Sequence, residues 1–152
     1  MALFLSTFVN KVDRKGRVSV PAPFRAQLVG QTFNGIVAFR SYRQPAIEAC
    51  GIDRMTNLSE SLDELDQFSE AQDDLASTIF ADAHQLQFDS EGRVMLPQLL
   101  VEHANVTDAA AFIGRGATFQ IWEPEAFRAH QETARNRTRD QGATLRLKPR
   151  ER

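Results

Sequence analysis

The sequence predicts an α+β fold: two tandem copies of a β-hairpin and short helix, related by a pseudo-twofold axis, with helices connecting and following them. Three observations carry this. The segment Lys11 to Pro21, K-V-D-R-K-G-R-V-S-V-P, recurs as Q-F-D-S-E-G-R-V-M-L-P from Gln87 to Pro97. At one fixed offset Asp13 matches Asp89, Gly16 matches Gly92, Arg17 matches Arg93 and Pro21 matches Pro97, while apolar Val12, Val18 and Val20 match Phe88, Val94 and Leu96. Such matching marks one structural unit used twice. Apolar alternation on both sides of each D-x-x-G-R reads as two half-buried strands around a turn. One hairpin cannot bury both faces alone, so the copies are expected to pack on each other.

Taken in order, Leu3 to Val12 reads as a strand with Phe4, Phe8 and Val12 on one face and Leu5 and Val9 on the other, which predicts burial on both sides. Asp13 and Gly16 occupy the first and fourth positions of a type I turn, where the carboxylate bonds backbone N–H groups and glycine accepts a positive φ. Arg17 to Val20 returns, and Pro21 to Val29 forms a short helix with Gly30 as its C-cap. Gly35 to Phe39 is a strand; Pro45 to Cys50 is a weak strand or turn. Asp53 to Phe80 is helical, with Met55, Leu58, Leu62 and Leu65 at helical spacing and a break expected near Gln67 to Glu70. The second copy then runs Ala83 to Phe88, Arg93 to Leu96, a helix Pro97 to Ala104, strands Ala109 to Gly114 and Thr118 to Trp122, and a helix from Glu123 to about Thr138. The expected division is residues 1–52, a first hairpin repeat; 53–82, an acidic helical connector; 83–134, the second repeat with the C-terminal helix; and 135–152, a basic tail.

Composition narrows the function classes. The 152 residues carry a net charge of −2, so total charge does not favour a polyanionic partner. Its distribution does: residues 1–52 hold seven Lys/Arg and two acids, 53–92 hold one Arg and eleven acids, and 93–152 hold ten Lys/Arg and seven acids. The lone Cys50 excludes an internal disulfide and a Cys-rich zinc site, and fits a reducing cytosol. The N-terminus lacks the basic flank and length of a signal peptide, and no run approaches a membrane span. His84, His103 and His130 are scattered, the latter two expected on helices facing water. Cys50 has no neighbouring base, and Gly114-Arg115-Gly116 lies between strands rather than before a helix, so no phosphate loop is expected. No catalytic constellation, cofactor site, metal site or small-molecule substrate is expected.

The candidate site is the pair of tips. Asp13, Gly16, Asp89 and Gly92 have turn-shaping work. Arg17 and Arg93 suit either a pairing role or an outward one. Arg14 and Lys15 have no part in forming the turn, and cations at an exposed tip suit phosphate contacts or bidentate contacts to guanine. Ser90 and Glu91 make the second tip weaker. Arg25, on the following helix, is placed to add a phosphate contact.

The two D-x-x-G-R-x-x-x-P segments, with V-P-A-P-F-R after the first and I-W-E-P-E-A-F late in the second, resemble the MraZ family of bacterial transcriptional regulators over about Leu3 to Arg128. More distantly they resemble the swapped-hairpin AbrB-like DNA-binding fold. The resemblance implies a double swapped-hairpin barrel and binding to repeated promoter elements upstream of the division and cell-wall gene cluster. It also implies a homo-oligomeric ring, a nucleoid-associated place in the cytoplasm, and a DNA-facing surface built from Asp13 to Arg17 and Asp89 to Arg93. Double-stranded DNA is then the expected partner. The competing reading is an antitoxin-like protein-interaction module whose basic tips dock an acidic partner.

Overall fold

The computed structural model describes residues 1–149; Arg150 and Arg152 of the expected basic tail lie outside the described residues. The fold is α+β, as the repeats predict. Strands β1 (Thr7–Lys11), β3 (Gly35–Arg40), β4 (Ile47–Cys50), β5 (His84–Gln87), β7 (Ala109–Gly114) and β8 (Phe119–Trp122) form one antiparallel sheet in the order β1-β7-β8-β4-β3-β5. Strands β2 (Arg17–Ser19) and β6 (Arg93–Met95) form a separate two-stranded ribbon. The sheet order is unchanged when β1 is exchanged with β5, β7 with β3 and β8 with β4, which is the pseudo-twofold.

The two copies are interleaved rather than stacked. Strand β1 of the first copy pairs with β7 of the second, from Thr7↔Ile113 to Lys11↔Ala109. Strand β5 of the second pairs with β3 of the first, from Gly35↔Gln87 to Ala38↔His84. Within a copy, β1 and β2 form no ladder; the Val12↔Val18 bridge beside the turn joins their backbones. The pseudo-axis passes between β4 and β8, where Glu48 faces Gln120, and through the ribbon, where Val18 faces Val94.

The main core lies between one sheet face and the ribbon. Val18, Val20, Val94 and Leu96 point inward against Ile36, Ile47, Phe112 and Ile121, and helices α1 (Ala22–Ala26) and α4 (Gln98–Ala104) close the sides with Phe24 and Leu100, helped by Leu28 in the turn after α1. A five-residue helix has no stability of its own. Helix α1 is held by Phe24, whose ring lies 5.3 Å from Phe4, 5.6 Å from Phe8 and 5.0 Å from Phe119, centroid to centroid. The other sheet face is covered in two parts. Helix α5 (Pro124–Gln141) packs Phe127 on Ala111, Ile113 and Trp122, while α2 (Ile52–Asp63) and a π-helical turn (Ala76–Phe80) cover Val37, Phe39 and Cys50.

Several local expectations change. Strand β1 starts at Thr7 because Ser6 takes φ 77°; Phe4 regains register by bridging Gly116. Leu5 and Val9 are 61% and 57% exposed, so burial on both faces of this strand is not realised: β1 is an outer strand whose Phe8 face packs on Phe24 of α1 while its Val9 face stays open. Pro45 to Cys50 contains a full central strand, β4. Helix α1 ends at Ala26, so Gly30, at φ 86°, turns the chain afterwards instead of capping the helix. The helical break falls at Glu64–Ser69, with Phe68 at φ 64° and the Ser69 hydroxyl accepting from the Gln72 amide to start α3 (Glu70–Leu75). Helix α5 runs past Thr138 to Gln141, so Arg135, Arg137 and Arg139 are helical.

Because Phe24 ties α1 to strands from both copies, truncating it opens a cavity that neither copy can fill. Phe24→Ala is expected to lower unfolding free energy by about 3–5 kcal/mol, measured by urea denaturation, with a single cooperative transition retained.

Candidate nucleic-acid interface

Both tips share one construction. At the first, the Asp13 carbonyl accepts from the Gly16 amide at 3.0 Å and the Arg17 carbonyl accepts from the Asp13 amide at 3.0 Å, a type I turn closed by a left-handed glycine at φ 84°. Asp13 Oδ1 accepts from the Lys15 and Arg17 amides, each at 2.9 Å, and Oδ2 accepts from Arg17 Nε at 2.7 Å. At the second, Asp89 Oδ1 accepts from the Glu91 and Arg93 amides at 2.9 Å each and Oδ2 from Arg93 Nε at 2.8 Å. The backbone hydrogen bond from Arg17 lowers the Asp13 pKa below the ordinary carboxylate value, and that from Arg93 does the same for Asp89.

The tips are also tied crosswise. The Leu96 amide donates to the Gly16 carbonyl at 2.9 Å and the Val20 amide to the Gly92 carbonyl at 3.1 Å, so each apex rests on the other copy's return strand. A side chain is disfavoured at both glycines by their left-handed backbone, and the space beside each is tight. A Cβ on Gly16 would lie 3.2 Å from the Leu96 carbonyl oxygen, and one on Gly92 2.7 Å from Arg25 Cζ.

With that frame fixed, the charges differ. Arg14 and Lys15 are exposed, and among the described residues neither forms an ion pair. Arg17 is held by Asp13 alone, through Nε. Arg93 is held by Asp89 and also, through its second terminal nitrogen, by Glu91 at 2.7 Å; the Asp89 hydrogen bond is the main cause of its raised pKa. Arg25 is half buried. Its Nε donates to the Val20 carbonyl at 3.0 Å and its side chain lies over Gly92, so it braces the second tip. The matching position in the second copy is Val101, and a groove of about 520 Å³ remains beside the first tip, lined by Arg14, Lys15, Met95, Gln98, Val101 and Thr107 among others. Arg25's bracing role and the groove were not visible in the residue pattern; the mismatch of Arg25 with Val101 was its available signal. Asn10 was also missed: its side-chain amide donates to the Ser19 carbonyl at 2.8 Å and ties β1 to β2.

Several polar groups away from the tips have structural partners. Asp82 accepts from the Arg40 amide at 2.8 Å and from its guanidinium at 2.7 Å. His130 stacks on Trp122, with centroids 4.7 Å apart, and burial lowers its pKa; His103 Nε2 lies 2.9 Å from the Gln44 carbonyl. Neither helical histidine simply faces water. Burial pushes the Cys50 thiol up to about 12. Among the described residues no group of His, Cys, Asp and Glu is arranged to hold a metal ion, and no helix is long and apolar enough to cross a membrane.

The family model described as "MraZ protein, putative antitoxin-like" matches residues 79–147. The chain is 47% identical over 146 residues to the transcriptional regulator MraZ of Rickettsia canadensis, an alignment covering 96% of this chain and 98% of that one. The chain belongs to the MraZ family. The MraZ regulator of Pelagibacter ubique is 46% identical over 143 residues, covering 94% of this chain and 92% of the relative, and that of Rickettsia bellii is 45% identical over 147 residues, covering 96% and 98%. The MraZ family is one of transcriptional regulators, not enzymes.

The Asp–Arg braces carry a pH signature. Their carboxylate pKa values are lower folded than in an unfolded chain, where Asp titrates near about 3.9, so the braces stabilise the tips above that pH and are lost as pH falls through the folded values. In an NMR titration the Lys15, Arg17, Glu91 and Arg93 amide shifts are expected to move together below about pH 4. In Asp13→Asn only the Glu91 and Arg93 amides should still respond.

Proposed function

We propose that this chain is a sequence-specific DNA-binding transcriptional regulator acting on repeated promoter elements upstream of the division and cell-wall gene cluster. It assembles as a homo-oligomeric ring at the nucleoid. The observation that carries the reading is the first tip: two unpaired cations, Arg14 and Lys15, at the end of a carboxylate-braced turn beside an exposed two-stranded ribbon. A ribbon of this kind is what the major groove admits, and cations flanking it meet the phosphates. The naming of the relatives as transcriptional regulators supports the regulatory half of the reading.

In this reading Arg14, Lys15 and the terminal nitrogens of Arg17 form the principal contact. Arg93 is a weaker one because Glu91 occupies it, and Arg25 adds its terminal nitrogens at the second tip. Residues 1–52 and 83–134 act as the two DNA-facing repeats. Residues 53–82, with exposed Glu60, Asp63, Glu64, Asp66, Glu70, Asp73 and Asp74, keep phosphate away from the opposite side, and 135–152 supply a basic tail. One tip binds weakly and with strong salt dependence. Several tips on a ring meeting spaced elements raise the effective concentration. Exposed Leu3, Leu5 and Val9 along the β1 edge support association between copies.

The double variant Arg14→Ala/Lys15→Ala is expected to lose retention of the promoter fragment in a mobility-shift assay while its melting temperature stays unchanged. The slope of log K against log salt should fall by about 2 per engaged first tip, since each phosphate left without its cation removes about 0.9. Unchanged binding removes the first tip from the mechanism, and co-purification of an acidic protein without promoter retention would favour the protein-docking alternative. Glu91→Lys is expected to strengthen binding; no change would mean that the second tip points away from the duplex.

A further inference from the structure

The ribbon presents four outward side chains. Register sets Arg17 opposite Met95 and Ser19 opposite Arg93, with the Val18–Val94 pair between them turned into the core. Directly opposed residues of an antiparallel pair share a face. Three of these four are polar or charged, as a solvent-facing ribbon should be. Met95 is not, and it is 55% exposed. Its counterpart at the matching position of the first copy is Ser19, so the shared backbone does not demand an apolar residue there.

Met95 also stands at the cationic end. It lines the groove beside Arg14 and Lys15 and lies across from Arg17, whose partner Asp13 is occupied by two amides and the Arg17 Nε. Ser19 stands at the other end, next to Arg93 and its two acids. The apolar side chain is therefore placed where a polyanion approaches. In the major groove the one apolar feature on a base edge is the C5-methyl of thymine. A thioether on an unbranched chain adapts its packing to such a methyl.

We propose that Met95 is a specificity-determining residue that packs on a thymine C5-methyl in the major groove, between phosphate contacts made by Arg14 and Lys15. This rests on the DNA-binding reading above and assigns to it a base and a residue.

Uracil differs from thymine only by lacking that methyl, which gives a direct test. Each thymine of the repeated element is replaced in turn by uracil, in every element of the promoter fragment, and binding is followed by fluorescence anisotropy. For the wild type, one position is expected to weaken binding about fourfold per engaged element, the factor for burying one methyl-sized apolar group. Met95→Ala should bind thymine and uracil forms equally at that position, with the salt slope unchanged, and Met95→Leu should restore the difference. Light scattering should show the same assembly size for wild type and Met95→Ala; a changed size would assign Met95 to an interface between copies and overturn the proposal. Retention of the promoter with no uracil response, or a response that Met95→Ala keeps, overturns this inference alone. A wild type that does not retain the promoter at all removes the DNA-binding reading and this inference together.

Discussion

The pairing of β2 with β6 is the constraint on which the rest depends. Only three rungs long, it brings together the inward residues Val18 and Val94, which with Val20 and Leu96 close the main core. The same ribbon continues outward into both tips through the Leu96–Gly16 and Val20–Gly92 backbone hydrogen bonds. A single copy would leave these valines exposed and both ribbon edges unpaired. Burial of the core and placement of the tips are thus one event, and a tip is not a loose loop hung on a finished scaffold.

Within that frame the aspartates have a geometric task more than an energetic one. Ion pairs in contact with solvent are screened and contribute little, so Asp13–Arg17 and Asp89–Arg93 add little to stability. What they do is satisfy two backbone N–H groups at each apex and hold the guanidinium by Nε. Charge left over is then decided by the two residues at the apex: Arg14 and Lys15 on one side, Ser90 and Glu91 on the other. Identical backbones carry opposite electrostatics because the residues that shape the turn are separate from those that face the solvent.

That separation also explains what the residues disclosed. The duplicated D-x-x-G-R, its turn geometry and the α+β class were legible because each depends on local spacing. The exchange of strands was implied by the resemblance to the swapped-hairpin fold and not by local spacing: β1 alternates in the same way whether its partner is β2 or β7. Strand β4 was obscured by its length of four residues and by Glu48, whose carboxylate is taken up by the Gln120 side chain at 3.0 Å across the pseudo-axis. Leu5 and Val9 read as buried because apolar residues on both faces usually mean a covered strand; that only the Phe8 face of β1 is covered follows from its place at the sheet edge. At the candidate site the role of Arg25 was hidden because it brackets the other copy's glycine, a contact far away in sequence.

Joining both copies in one chain has a further consequence. Two identical hairpin units associating as separate molecules would form an isologous contact, and every tip residue would appear twice. Covalent tandem arrangement keeps the shared core, where Val18 meets Val94, while freeing the outward positions to differ. They do differ, among other matched places, at Arg14 against Ser90, Lys15 against Glu91, Ser19 against Met95, and Arg25 against Val101. Each of these substitutions lies outside the ribbon's inward face, so none disturbs the packing that holds the tips. The unpaired charge, the exposed Met95 side chain and the open groove all fall on the first tip's side, giving a symmetric scaffold a surface with a single preferred direction.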